Sequence, residues 1–246
     1  MSWLSVATLL VAAGVAALLS VQSTSSQVRF GVPPAGTTAA AHRLSRAVES
    51  DLAAGSFVVQ EATTLRQPRY SGPQHFTMVY QAPDRSELTG PEAASGTSII
   101  TVGGVRYSQS LFTSTRSQWI AFKVPSGEPG GRSMATGDLT ALQNATSVEE
   151  DGSSFRVVEI GEVLPGSLLA RSAGVGEDED IFTATVAHGR VVREVLDFRS
   201  QKSSLEVTLI YSRFGSAPAI EIPAAEQTLT ICGGRPLPTN APCPSR

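Results

Sequence analysis

Residues 205–223, LEVTLIYSRFGSAPAIEIP, constrain the fold more than any other stretch. Leu205, Val207, Leu209 and Tyr211 alternate with Glu206, Thr208 and Ser212, and only Ile210 interrupts the pattern. A period of two puts the first set on one face of an extended strand and the second on the other. The segment therefore reads as a half-buried antiparallel strand whose apolar side something else must cover. It stops at Phe214-Gly215 and a proline, and a short extended piece, 219–222, ends at Pro223. Just upstream, 181–198 (IFTATVAHGRVVREVLDF) reads as two strands folded on a turn at His188-Gly189. The C-terminal third is expected to be a three-stranded antiparallel meander.

What packs against the meander comes from the rest of the chain. Residues 39–54 predict the first helix, with Leu44, Val48 and Leu52 in a narrow apolar stripe and Arg43, Arg46, Glu49 and Asp51 off it. Gly55 is placed to end that helix. Strand patterns follow at 57–65 and 75–81, separated by a turn at Ser71-Gly72-Pro73, and at 85–88 after a break at Ala82-Pro83-Asp84. Residues 97–108 form the clearest hairpin, two β-branched runs flanking Gly103-Gly104. Another strand spans 118–124, with Trp119 as its largest side chain. A glycine-rich loop is expected over 125–137, then a short helix from Asp138 to Ala145, a strand around 155–160, a short helix at 164–173 and an acidic loop at 174–180. Beyond Ala225 the chain is proline-rich and is expected to be irregular. Eight to ten strands and so few helices predict an α+β, mostly-β fold. Its antiparallel sheet must curl round the helices to hide its apolar face.

The 246 residues suffice for one domain with an anchor and a tail, and 17% charge with 41% hydrophobic residues excludes wholesale disorder. The net charge is −3 and the arginines are scattered, which argues against a nucleic-acid partner. Only Lys123 and Lys202 are lysines among 19 basic residues, an association with GC-rich genomes. Residues 4–21 (LSVATLLVAAGVAALLSV) carry no charge. At helical rise they cover about 27 Å, close to the roughly 30 Å hydrocarbon core of a bilayer. They read as a membrane span or as a signal-peptide core. Either way the domain is extracytoplasmic, at the cell membrane or exported after cleavage. The expected organisation is an anchor or signal segment at 1–28, a linker at 29–38, the domain at 39–225 and a tail at 226–246. Cys232 and Cys243 bracket a Gly/Pro-rich loop in that tail and are expected to form a local disulfide.

No nucleophile elbow, phosphate loop, dinucleotide fingerprint or paired-histidine metal helix occurs, so no catalytic residue, metal or cofactor is assigned and no enzyme is expected. His42, His75 and His188 have no ligand-spaced partner, and Glu177-Asp178-Glu179-Asp180 lacks the spacing and turn glycine of a calcium loop. The alternation nominates a set of inward side chains. They are Phe76, Met78 and Tyr80 on one strand, Leu205, Val207, Leu209 and Tyr211 on another, and Val59 and Trp119 on two more. Leu44, Val48 and Leu52 face them from the helix. These residues make either an ordinary packed core or the wall of an apolar cavity, and periodicity does not separate the two.

The order of a helix, then strands, then VYQAPDRSEL at 79–88 and EVTLIYSRFGSAPAIEIP at 206–223 resembles the LolA-like superfamily, most of all its actinobacterial LppX/LprG lipoprotein branch. The carrying motif is Tyr211-Ser212-Arg213-Phe214-Gly215, then Pro218 and Ile220-Glu221-Ile222-Pro223, together with Ala82–Arg85. The resemblance covers about residues 39–223 and implies a half-barrel, a strongly curved sheet wrapped over the N-terminal helix and one or two short ones. It also implies a concave apolar cavity for acyl chains and a role in carrying lipid or glycolipid at the cell envelope. The lipobox cysteine of that branch is missing here, so anchoring is expected to be by 4–21 or absent. An envelope protein partner is the competing implication, since RseB-type members of the superfamily bind a protein with a filled core.

Overall fold

The computed structural model describes residues 37–67, 70–90, 98–109, 119–124, 130–160, 179–199, 204–232 and 235–238. The candidate anchor at 4–21, the expected helix at 164–173, the first acids of the 174–180 loop and Cys243 lie outside these residues. The Cys232–Cys243 pairing therefore lies outside them too.

Among the described residues, thirteen strands form one sheet in the order β13-β12-β6-β5-β4-β3-β2-β1-β11-β10-β9-β8-β7. The first half holds β1 (Ser56–Gln67), β2 (Tyr70–Gln81), β3 (Arg85–Thr89), β4 (Ser98–Val102), β5 (Val105–Gln109) and β6 (Trp119–Lys123). The second holds β7 (Ala145–Asp151), β8 (Ser154–Ile160), β9 (Glu179–Ala187), β10 (Arg190–Arg199) and β11 (Ser204–Ser212). The last two are β12 (Thr228–Cys232) and β13 (Arg235–Pro238). The expected meander is β9-β10-β11, and β11 continues the sheet by pairing antiparallel with β1. Ile210, the residue that breaks the alternation of β11, is 44% exposed on the outer face, so the strand keeps its phase. Primed-turn geometry sits where the sequence places it, with positive φ at Gly103 and Gly104 and again at His188 and Gly189.

Among the described residues two α-helices lie against the sheet, α1 (Thr37–Ala53) and α2 (Gly131–Gln143). Helix α2 touches β4, β3 and β2 on one side and β8 on the other. Those outer strands are seven spacings apart in the sheet order, about 34 Å if the sheet were flat. One helix about 10 Å thick reaches both only if the sheet curls around it. Among the described residues β13 and β7 are the two ends of the sheet and do not pair with each other, so the curl does not close, and the result is a half-barrel.

Four expectations are corrected. The turn expected at Ser71-Gly72-Pro73 is part of β2, where Pro73 pairs in register with Thr64. The proline is tolerated because β3 pairs with β2 only from Thr77 onward, leaving the far end of β2 as an edge. Helix α2 is longer than expected and begins at Gly131, not Asp138. Its cap comes from another loop, since the Arg132 backbone N–H donates to Asp84 Oδ1 at 2.9 Å. A Cβ at Gly131 would stand 3.0 Å from the Thr101 carbonyl oxygen and 3.1 Å from that of Asp84, so glycine allows the close approach. The tail, expected to be irregular, holds two strands: β12 pairs parallel with β6, and β13 pairs with β12. Finally, Asp51 lies on the buried stripe of α1, fully buried, while Arg43, Arg46 and Glu49 are exposed.

The motif after β11 acts as a latch. Arg213 and Gly215 take positive φ and turn the chain back, and the Gly215 N–H donates to the Ser56 carbonyl at 2.8 Å. The Ile220 N–H donates to Gln81 Oε1 at 3.0 Å, and the Ile220 side chain is buried. Phe214 packs on Phe57 with ring centroids 6.1 Å apart, and the Arg190 guanidinium lies 4.8 Å over its ring.

Candidate functional site

The core lies between the concave sheet face and the helices. Leu44 and Val48 of α1, Val59 of β1, Tyr80 of β2, and Val207, Leu209 and Tyr211 of β11 are buried there. Leu52, Met78 and Leu205 are partly buried against it. Phe57 centres an aromatic cluster, with Tyr80 at 5.1 Å and Tyr211 at 5.9 Å between ring centroids.

A cavity of about 10 Å³ sits at the seam between α2 and strands β1, β2 and β11. Val59, Phe76, Met78, Leu209 and Tyr211, all nominated from the sequence, line it. Glu61, Ala135 and Asp138 complete the wall and were not nominated. The other nominated residues stand elsewhere: Leu44, Val48, Tyr80 and Val207 are packed core, and Leu52 and Leu205 flank it. Trp119 is half-buried on β6, five strands from β1 in the sheet order.

Exposure rises along the concave face. On β1, Phe57 and Val59 are buried, whereas Glu61, Thr63 and Leu65 are half-buried. On β2 the series runs from buried Tyr80 through half-buried Met78 and Phe76 to exposed Gln74. On β11 it runs from buried Tyr211, Leu209 and Val207 to half-buried Leu205. A half-exposed, largely apolar strip thus leads away from the cavity.

The seam is also acidic. Glu61, Leu209 and Glu194 stand in one row across β1, β11 and β10. Glu194 is only 3% exposed. A register shift in β10 between Val191 and Arg193 turns Val191 and Glu194 to the same inner side. The Tyr211 hydroxyl is hydrogen-bonded to the Glu194 carboxyl, whose Oε1 has no partner. Burial pushes the Glu194 carboxyl well above the usual carboxylate range, and the nearby charges of Asp138 and Asp51 push it the same way. Burial likewise raises the Tyr211 phenol, helped by Glu194.

Asp51, at the end of α1, accepts the Val191 N–H at 2.8 Å and pairs with Arg190 at 3.3 Å. Burial still outweighs these partners and raises its pKa to about 6. The sequence carries a sign of both acids. Glu194 shares strand parity with Leu196 and Phe198, and Asp51 follows Leu44 and Val48 at i+7 and i+3. A charged residue in phase with an apolar face is the signal to look for. Among the described residues no group of acids, histidines and cysteines has the geometry to hold a metal ion. His42, His75 and His188 are exposed.

No family model matches the chain, and no curated protein matches its sequence. Solved structures to which the chain is similar include the following three. LprF from Mycobacterium bovis is 12% identical, with 79% of this chain and 100% of that one covered and a TM-score of 0.47. A LolA superfamily protein from Nitrosomonas europaea is 14% identical, with 77% and 96% covered and a TM-score of 0.39. The lipoprotein LppX from Mycobacterium tuberculosis is 13% identical, with 72% and 98% covered and a TM-score of 0.39.

Proposed function

We propose that this chain is an extracytoplasmic, membrane-tethered protein that binds a hydrophobic ligand, a lipid or glycolipid, and carries it unchanged. One observation bears the reading: the concave face offers a half-exposed strip, Leu65, Phe76, Met78 and Leu205, running into the cavity beside Leu209 and Tyr211. An acyl chain needs a dry apolar wall and gains about 0.8 kcal/mol per methylene buried. Met78 and the aromatic rings can repack around a chain of varying shape. Beside Asp138 of α2 stands buried Glu194, and the unpartnered Glu194 Oε1 makes that seam a costly contact of the core. It is the place to open for a ligand. The tether in this reading is 4–21, and a Cys232–Cys243 disulfide closes the tail.

The test is native mass spectrometry of the full chain, with extraction and identification of any bound mass. A stoichiometric adduct that disappears on delipidation and returns on adding lipid is the expected result. Protein that carries nothing and takes up nothing refutes it. A second reading, a protein-binding half-barrel with a filled core, is favoured by the cavity volume alone. About 10 Å³ holds one water, whereas ligand pockets run to roughly 300–1,000 Å³.

A further inference from the structure

Met78 also belongs to a row that runs across the strands. The register sets Met78 of β2 opposite Leu88 of β3, Leu88 opposite Ile99 of β4, and Ile99 opposite Ser108 of β5. Ser108 stands opposite Ile120 of β6, and Ile120 opposite Leu229 of β12. Residues opposite one another across a ladder share a face, so the whole row stands on the concave side with Met78. Every member is half-buried. The neighbouring concave row, Tyr80, Ser86, Thr101 and Arg106, is buried. There α2 lies on the sheet, with Gly131 against the Thr101 carbonyl. The helix thus covers one row and leaves the next as a ledge.

The ledge carries no charged side chain, and Ser108 is its one polar member. A sheet face left to water is ordinarily polar, so a half-exposed aliphatic row marks a surface that something apolar covers. The row is continuous at Met78 with the strip that runs along the strands to Leu65 and Leu205. Length decides what the two together can take. Five strand spacings from β2 to β12 make the ledge about 24 Å long. The strip along β1, from Val59 to Leu65, adds about 20 Å roughly at a right angle to it. One acyl chain spans half the hydrocarbon core of a bilayer, about 15 Å. A single chain cannot turn at Met78 and cover both. Resting on the hydrophobic-ligand reading, we infer that the ledge is a second hydrocarbon subsite and that the ligand has at least two acyl chains, which diverge at Met78. The far end of the subsite is built by β12, which lies beyond the residues 39–223 that the family resemblance covers. The C-terminal tail is therefore part of the binding wall.

The test uses the full chain, purified in a mild detergent and stripped of lipid, and two probes that share a head group: palmitoyl lysophosphatidylcholine with one chain and dipalmitoyl phosphatidylcholine with two. Native mass spectrometry reads the single adducts at equal probe concentration. The two-chain probe should bind the wild type. Leu229→Asp and Ile99→Asp should each lower its adduct about tenfold or more, the effect of about two methylenes losing their wall. The one-chain adduct should stay within about threefold of wild type, because the strip beside Leu209 is untouched. Thr89→Asp, on the exposed outer face of β3, should change neither adduct. If one ledge variant unfolds, the other decides. A measurement on the wild type needs no variant: amide hydrogen exchange in Trp119–Lys123 and Thr228–Cys232 should slow with the two-chain probe and not with the one-chain probe. A two-chain adduct that survives both substitutions, or two adducts that fall together, overturns the second subsite and leaves hydrophobic-ligand binding standing. So does exchange in those strands that fails to distinguish the probes, or a wild type that takes one chain and refuses two. If neither probe binds, both readings fall.

Discussion

Substituting Leu209 probes the packing of the concave face most directly. It is 2% exposed and lies between Glu61 and Glu194 in the row across β1, β11 and β10. Its side chain borders a small free space in that seam, about 10 Å³. Leu209→Ala enlarges that space, and the flanking strands hold the backbone in register, so little collapse is available. The expected loss is about 2–5 kcal/mol. With a urea m-value of about 2 kcal/mol/M, the unfolding midpoint falls by about 1–2.5 M at unchanged m. Leu209→Trp asks the opposite question. The indole needs far more room than the cavity offers, so the ligand-free protein should lose about 1–3 kcal/mol. Equilibrium urea unfolding followed by far-UV circular dichroism measures both. A loss below about 1 kcal/mol in both variants refutes the packing described here, because it means that Leu209 already faces open space. If lipid restores the stability of Leu209→Ala but not of Leu209→Trp, the same site holds the chain.

Other outcomes follow from single features. Asp51 has a folded pKa of about 6 against an ordinary 3.8, so the folded state holds its proton where the unfolded chain has lost it. Its contribution to stability is therefore full below about pH 4, falls as pH rises to about 6 and is flat above. Asp51→Asn should flatten that part of a urea-midpoint profile, and an unchanged profile refutes the assignment. Asp84→Ala removes the cap of α2 and should cost about 0.5–2 kcal/mol in thermal unfolding, while Asp84→Asn should recover most of it. Gly131→Ala should destabilise by a comparable amount through its contact with the Thr101 and Asp84 carbonyls, and a neutral result refutes the close approach. Protein purified under oxidising conditions should show no thiol reactive to Ellman's reagent in denaturant, and two reactive thiols would disprove the Cys232–Cys243 bond.

Much of the half-barrel is legible in local pattern. Alternation on β2 and β11 assigns Phe76, Met78, Tyr80, Leu205, Val207, Leu209 and Tyr211 to one face, and that face is inward. Glycines at 103, 104 and 189 mark hairpin turns because they accept positive φ with little strain. The stripe on α1 shows which side of the helix is buried, apart from Asp51. These signals are readable because each depends on a residue and its close neighbours in the chain.

Which residues share a face and where the chain turns can be read from local pattern. How far the opposing face stands and what fills the gap depend on contacts between residues distant in the chain. Helix α2 starts at Gly131 because its donor is satisfied by Asp84, 48 residues earlier, and no local rule reaches that far. The tail forms strands because the edge of β6 offers unpaired backbone groups to Thr228–Thr230. Glu194 is buried because β10 shifts register and Tyr211 of the next strand supplies a donor. The cavity has its small volume because Ala135 and Asp138 of α2 descend onto Leu209 and Met78. Periodicity reports direction, not separation, so a packed core and an acyl-chain site look alike until the two walls are seen together.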